Sequence, residues 1–316
     1  LGNCPDLYPI GIVVNQQSLS TSAPSSSSQF SHHLSLLSSK SDAQRRESLS
    51  HLTSSVAARP VNSPLPQPVS VMLPSMVPLL LDGSNSVRTQ LLKFLRSLPA
   101  ADVDGHAAQL LPYIRAGMTH LAADIRASSV DVLSWLVDTV GGDVVSCAGG
   151  WIKTLNCFLS LLGWHTEESS KWSASNRGAF GKAGSEGRPM VRALQALVDF
   201  LRVGIIGVQT DDTDDDDEDG GPQGWSFPLD LSVQRNMIPT RSAPYAYLNL
   251  FGQPRDAEGE MYESREDRYR VFVELFRPAI ERGVDNARKE GGEVGRASTA
   301  VAKVLREAAS LGVSSS

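Results

Sequence analysis

The chain has 316 residues, of which 41% are hydrophobic and 20% charged, with a formal net charge of −6 at pH 7. That length permits one elongated domain or two compact ones, and the apolar fraction is enough for a sizeable core. Eight carboxylates between Asp211 and Asp219 carry the acidity and leave the remainder at about +2; three cysteines without a CxxC pair exclude a disulfide framework, and no apolar run approaches the roughly 18–20 residues that cross a bilayer, so no membrane partner is expected.

The chain begins at Leu1 without Met, and its first residues lack a charged region followed by an apolar one. They read as a truncated or mis-joined start, not as a signal peptide. Residues 15–29 are polar and low in complexity, with too little apolar surface to offset the entropy of ordering, and 1–29 is expected to be disordered. A helical period starts with Phe30, Leu34 and Leu37 and resumes with Leu49, Leu52 and Val56, giving a helical pair.

The Pro-rich stretch 59–68 ends that pair. Val71, Leu73, Met76, Val77, Leu79, Leu80 and Leu81 then predict a helix, and Val87, Leu91, Leu92, Leu95 and Leu98 its partner, with Asp82-Gly83-Ser84-Asn85 as the turn. A third pair carries Leu110, Leu111, Ile114 and Met118, then Ile125, Val130, Leu133, Leu136 and Val140, with Gly141-Gly142 as its expected C-cap. Val145, Trp151, Ile152, Leu155, Phe158, Leu159 and Leu162 predict one further helix. A Ser- and Gly-rich insertion over 166–189 precedes a helix over about 190–208, and the acidic and irregular stretch 209–262 precedes C-terminal helices over 263–312.

The second helices of the three pairs share one pattern. Asp42-x-x-Arg45-x-x-x-Leu49-x-x-Leu52, Val87-Arg88-x-x-x-Leu92-x-x-Leu95 and Ile125-Arg126-x-x-x-Val130-x-x-Leu133 place an arginine at intervals of 43 and 38 residues. One interval falls within the roughly 40–47-residue period of HEAT and armadillo repeats and the other just below it, and Pro74 and Pro78 suit the bent first helix of such a unit. The expected fold is therefore all-α: a HEAT/armadillo-like α-solenoid over 30–165, with a disordered N-terminal segment and an acidic insertion. Arg45, Arg88 and Arg126 are expected to pair with a nearby Asp or a helix-end carbonyl along the stack. The alternative is a basic ladder facing RNA or an acidic partner.

Catalytic patterns are not found. The histidines, including His120 before Asp124, have no zinc-ligand spacing, and no metal or other cofactor is expected. Gly178-Ala-Phe-Gly181-Lys182 has two residues between its glycines where a phosphate loop has four, and neither a GxSxG elbow nor a GxGxxG fingerprint occurs. The reading is a non-enzyme. Trp172, Trp225, Tyr245, Tyr247 and Phe251, aromatics in otherwise irregular segments, are the candidate partner contacts; the alternative is that they pack back on the helices. The run from Asp211 to Asp219 is a solvated loop or an attractor of basic partners.

Two blocks carry a resemblance. NQQSLSTSAPSSSSQFSHHLSLLSSKSDAQRRESLSHLTSSV at 15–56, continuing into LPSMVPLLLDGSNSVRTQLLKFLRSLP at 73–99, and FRPAIERGVDNARKEGGEVGRASTAVAKVLRE at 276–307 resemble the fungal Ipi-type pre-rRNA-processing proteins, relatives of the animal testis-expressed TEX proteins. The resemblance implies a nuclear, nucleolar and nucleoplasmic, scaffold subunit of the Rix complex, required to process the second internal transcribed spacer without cutting RNA itself. It implies as partners a Rix core subunit, a WD40-repeat Ipi subunit, a midasin-type AAA ATPase and the pre-ribosomal large subunit. Family members usually start with a Lys-rich arm, and this chain departs from them there. The competing readings are an RNA-binding helical-repeat module, marked by salt-sensitive affinity, and an armadillo-type transport adaptor.

Overall fold

The computed structural model describes residues 25–60, 63–164, 187–207 and 257–313. Every regular element among them is helical. The first three helices are α1 (Ser26–Leu36), α2 (Asp42–Ala57) and α3 (Val69–Met76), the last continued by a 3-10 turn over Val77–Leu81. Then come α4 (Asn85–Arg96), the single turn α5 (Ala100–Val103), α6 (Ala107–Met118), α7 (Ala123–Ser146) and α8 (Ile152–Leu162). The remainder is α9 (Gly187–Leu201) with a π-turn over Arg202–Ile206, α10 (Arg265–Val271) with a π-turn over Phe272–Phe276, α11 (Arg277–Glu290) and α12 (Gly292–Val313).

These helices stack in two rows. In one, α2 packs on α4, α4 on α7, α7 on α9 and α9 on α12; in the other, α1 meets α3, the 3-10 continuation of α3 meets α6, and α6 meets α8. Cross-row contacts join α1 to α2, α6 to α7, and α11 to α12. Each helix therefore buries one side against its pair and its flanks against the neighbouring pairs. In α3 the 3.6-residue period selects Val69, Met72, Leu73 and Met76 for the core.

Several sequence expectations change. The first helix starts at Ser26, inside the stretch expected to be disordered, because Ser25 Oγ accepts from Ser28 N at 3.1 Å and so satisfies one of the free N–H groups of the first turn. Val71, counted as core, is 55% exposed, since the inward register runs through Val69 and Met72. The helix breaks where Gly141-Gly142 was expected to end it, but at a kink and not at a left-handed glycine cap. α7 kinks at Val140 (φ −137°, ψ 43°) and runs on to Ser146, taking Val145 with it, so that Trp151 opens a separate helix. Gly141 instead lies against Val203, where an added Cβ would come within 2.9 Å of Val203 Cγ1.

Other boundaries also move. Residues 187–189, expected in the flexible insertion, are helical, and the following helix ends in a π-turn at Ile206. Part of the stretch expected to be irregular is tied down: Gly149 N donates to Glu260 O at 3.0 Å, Asn156 Nδ2 donates to Glu258 Oε1 at 3.2 Å, and Tyr262 is buried.

The two π-turns flank one aromatic cluster. Trp151, fully buried, stacks on Phe200 with centroids 5.1 Å apart, lies 6.4 Å from Phe272, and covers Gly204, where any side chain would collide with the indole. Full burial of each such side chain contributes about 1.5–3 kcal/mol. The indole N–H also donates to Arg268 O at 3.1 Å, which fixes the C-terminal helices on the earlier ones.

Candidate interaction surface

The repeat arginines occupy one local position. Each of Arg45, Arg88 and Arg126 lies four residues after the N-cap of its helix, and each reaches back six residues to a turn carbonyl: Arg45 Nη1 to Ser39 O at 2.7 Å, Arg88 Nη1 to Asp82 O, and Arg126 Nη1 to His120 O at 2.9 Å. Helix sterics make this geometry repeatable, because an N-terminal side chain leans back toward the preceding turn. The turn is thereby closed on its own helix.

Two of the three also reach the next pair. Arg45 Nε lies 2.9 Å from Asp82 Oδ2, and Arg88 donates through Nη2 to Asp124 Oδ2 and through Nε to Ser128 Oγ at 2.8 Å. Asp82 is thus shared, its carboxylate held by Arg45 and its carbonyl by Arg88. Donation to the Asp82 carboxylate raises the pKa of Arg45, and the hydrogen bond from Arg88 lowers that of Asp124. Arg88 and Arg126 are 3% and 4% exposed, so neither guanidinium is free to meet a phosphate.

A fourth arginine repeats the geometry. Arg268 follows the N-cap Ser264 by four residues, and its Nη1 donates to Tyr262 O at 2.6 Å and to Glu263 O at 2.8 Å, while Nε donates to Gly204 O at 2.8 Å. Burial lowers its pKa. Sequence reading passed over it. The signal was present as Arg268-x-x-x-Phe272-x-x-Leu275, but the π-turn over Phe272–Phe276 shifts the register, so that Leu275 is 46% exposed and Phe276 is buried.

His120 acts within its turn, with Nδ1 accepting from Ala122 N at 3.0 Å. Among the described residues no group of three or more His, Cys, Asp or Glu side chains could hold a metal ion, and no helix is long and apolar enough to cross a membrane. Burial pushes the thiols of Cys147 and Cys157 up to about 11, which keeps them protonated. Trp172, Trp225, Tyr245, Tyr247 and Phe251, like the run from Asp211 to Asp219, lie outside the described residues. Among the described residues, the large apolar side chains that are exposed are Val71, Tyr113, Leu121, Met261 and Leu275.

Stacked helix pairs tied by buried arginines define an all-helical protein of the α-solenoid kind, and residues 101–201 match the family described as "Rix1 complex component involved in 60S ribosome maturation". The chain is 63% identical over 319 residues to the pre-rRNA-processing protein ipi1 of Aspergillus clavatus, covering 95% of this chain and 88% of that protein. It is 66% identical over 303 residues to the Aspergillus fumigatus protein of the same name, covering 95% and 87%. With the Chaetomium thermophilum protein the identity is 42% over 303 residues, covering 93% and 84%. The chain belongs to the Ipi1 family of pre-rRNA-processing proteins. A chain of a solved assembly described as "Rix1-Rea1 pre-60S particle - 60S core, body 1" is similar to it at TM-score 0.45 and 23% identity, covering 65% of this chain and 75% of that one.

Proposed function

We propose that this Rix1-complex subunit of 60S ribosome maturation works without catalysis, as a HEAT-type scaffold that supports processing of the second internal transcribed spacer in the nucleus. The observation that carries the reading is the continuous stack of helix pairs, in which Arg45–Asp82 and Arg88–Asp124 tie consecutive pairs into one frame. Such a frame can hold several partners at fixed separations, because each added pair extends the surface without altering the others. The helices over 30–165, 190–208 and 263–312 supply the frame. The insertions 166–189 and 209–262, with Trp172, Trp225, Tyr245, Tyr247 and Phe251, supply further contacts.

The partners in this reading are a Rix core subunit, a WD40-repeat Ipi subunit, a midasin-type AAA ATPase and the pre-ribosomal large subunit, met in the nucleolus and nucleoplasm. Purification of the tagged full chain with quantitative mass spectrometry tests it. Co-enrichment of Rix-complex subunits and large-subunit precursors is expected; an eluate without ribosome-assembly factors contradicts the reading.

A further inference from the structure

The row formed by α2, α4, α7, α9 and α12 ends in a cationic face. In α9 and the first residue of its π-turn, the exposed and half-buried positions run Arg188, Arg192, Gln195, Asp199 and Arg202. Their spacing of three and four residues makes one stripe, between the flanks that pack on α7 and on α12. α12 lies along α9 and exposes Arg296, Thr299, Ala300, Lys303 and Arg306. Together these two helices carry six cations against three carboxylates, Asp199, Glu293 and Glu307. From the rise per residue of an α-helix, the stripe on α9 is about 21 Å long.

The other helices differ. α7 holds four carboxylates against Arg126, and α1 and α3 have no Lys, Arg, Asp or Glu at all. On α2 and α4, Arg45 and Arg88 are taken by Asp82 and Asp124, which leaves Arg46, Lys93 and Arg96 against Asp42 and Glu47. On the α9–α12 face, Arg192 lies 3.2 Å from Asp131 Oδ2 and Arg202 acts on Asp199. Arg188, Arg296, Lys303 and Arg306 form no ion pair among the described residues. Nor is any exposed large apolar side chain of the described residues on this row: Val71, Tyr113, Leu121, Met261 and Leu275 all belong to other elements.

We propose that the α9–α12 face binds double-helical RNA through its phosphate backbone. Charge complementarity selects a polyanion, and the lack of apolar groups selects among polyanions. An acidic protein would need aromatic or aliphatic anchors at the centre of its interface, and this face exposes none. Single-stranded RNA is held by aromatic side chains on which its bases stack, and these too are missing from α9 and α12. What the face offers is guanidinium and ammonium donors interleaved with the Thr299 hydroxyl and the Gln195 amide, groups that contact phosphates without reading sequence. Cations with no carboxylate to give up release counterions from a duplex at little cost. The proposal rests on the reading of this chain as a large-subunit assembly factor and adds an RNA contact and its surface to it.

The test measures binding of the full chain to a short RNA duplex of arbitrary sequence over a series of salt concentrations. The duplex should bind more tightly than either of its single strands, with an affinity that falls steeply as salt rises. Arg296→Gln, Lys303→Gln and Arg306→Gln, combined in one chain, should weaken binding by about tenfold or more and reduce the salt slope by about 3. Melting should not change, because all three side chains are exposed. Arg296→Lys with Arg306→Lys, which keeps the charge, should keep the slope. Lys40→Gln, Arg46→Gln and Arg270→Gln together remove the same charge elsewhere and should alter affinity less than about twofold. Equal weakening by the two triple variants, tighter binding of single-stranded RNA or of duplex DNA, or an affinity that appears only after residues 211–219 are deleted overturns the proposal. So does loss of a protein from the purified assembly on the first triple variant while its RNA affinity is unchanged. A chain that binds no RNA but still co-purifies with large-subunit precursors sinks this proposal alone. RNA affinity in a chain whose eluate lacks those precursors sinks the assembly reading and leaves the face standing.

Discussion

The indole of Trp164 lies directly on the backbone of Gly283, so close that a Cβ there would fall within the ring. This contact joins the end of α8 to α11 and leaves no freedom, because Trp164 is itself buried. Gly283→Ala gains about 1 kcal/mol of helix propensity. It must also displace a packed ring, at a cost of roughly 1–3 kcal/mol or more. Overpacking should win, with a net loss of about 1 kcal/mol in chemical denaturation, and Gly204→Ala beneath Trp151 should behave alike. An unchanged denaturation midpoint for both variants would show that the C-terminal helices do not seat on these rings.

Arg88 and Asp124 are unequal partners. Arg88 is 3% exposed and satisfies the Asp82 carbonyl as well, whereas the Asp124 side chain is 58% exposed. Arg88→Met should cost about 3 kcal/mol, because it leaves a buried acceptor unpaired. Asp124→Asn should cost under about 1 kcal/mol, since solvent screens the exposed carboxylate. Equal losses would mean that the ion pair, and not the turn carbonyl, is what the arginine serves.

The first helix pair should weaken on acidification. His33 stacks on His51 with ring centroids 3.8 Å apart, with His32 edge-on at 5.7 Å. Burial, then the neighbouring His51 and His32, lower its pKa, against a smaller opposing effect of Glu47. The unfolded chain binds this proton more readily, so stability is complete above the ordinary histidine value near 6.5 and declines as pH falls from there through the lowered value. Asp124, its pKa lowered by Arg88, adds a second decline as pH falls below 3.8. Melting followed from pH 8 to pH 5 should show the first decline, and His33→Phe should flatten it.

Native thiol chemistry should be slow. With the thiols of Cys147 and Cys157 pushed up to about 11 by burial, little thiolate exists at pH 8. In a Cys4→Ser background, alkylation should await unfolding and follow the denaturation curve. Rapid labelling in native buffer would show that α7 or α8 opens locally.

Much of the frame was legible because it rests on short-range rules. The arginines at 45, 88 and 126 recur with leucines at fixed offsets, and side-chain direction at a helix start then places each guanidinium on its own turn. Arg268 carries the same offsets, Phe272 and Leu275, and was legible as a pattern; what the sequence did not show is the π-turn at Phe272–Phe276, which shifts burial from Leu275 to Phe276. Gly141-Gly142 was legible in part: the helix breaks at Val140, beside the glycines, but it resumes to Ser146, and Gly141 serves a close approach to Val203, a long-range contact that local sequence does not encode. Of the interaction surface, sequence reading selected aromatics in irregular segments. The exposure of Val71 and Tyr113 was not legible, because it depends on which side of α3 and α6 turns inward.

The central claim, that this chain is a scaffold on which processing of the second internal transcribed spacer depends, is tested most directly by depletion and replacement in a filamentous fungus. Depleting the resident protein and following pre-rRNA by hybridisation should reveal accumulation of precursors that retain the second spacer, reversed when this chain is supplied. Normal removal of that spacer after full depletion, or failure of the intact chain to restore it, would contradict the account.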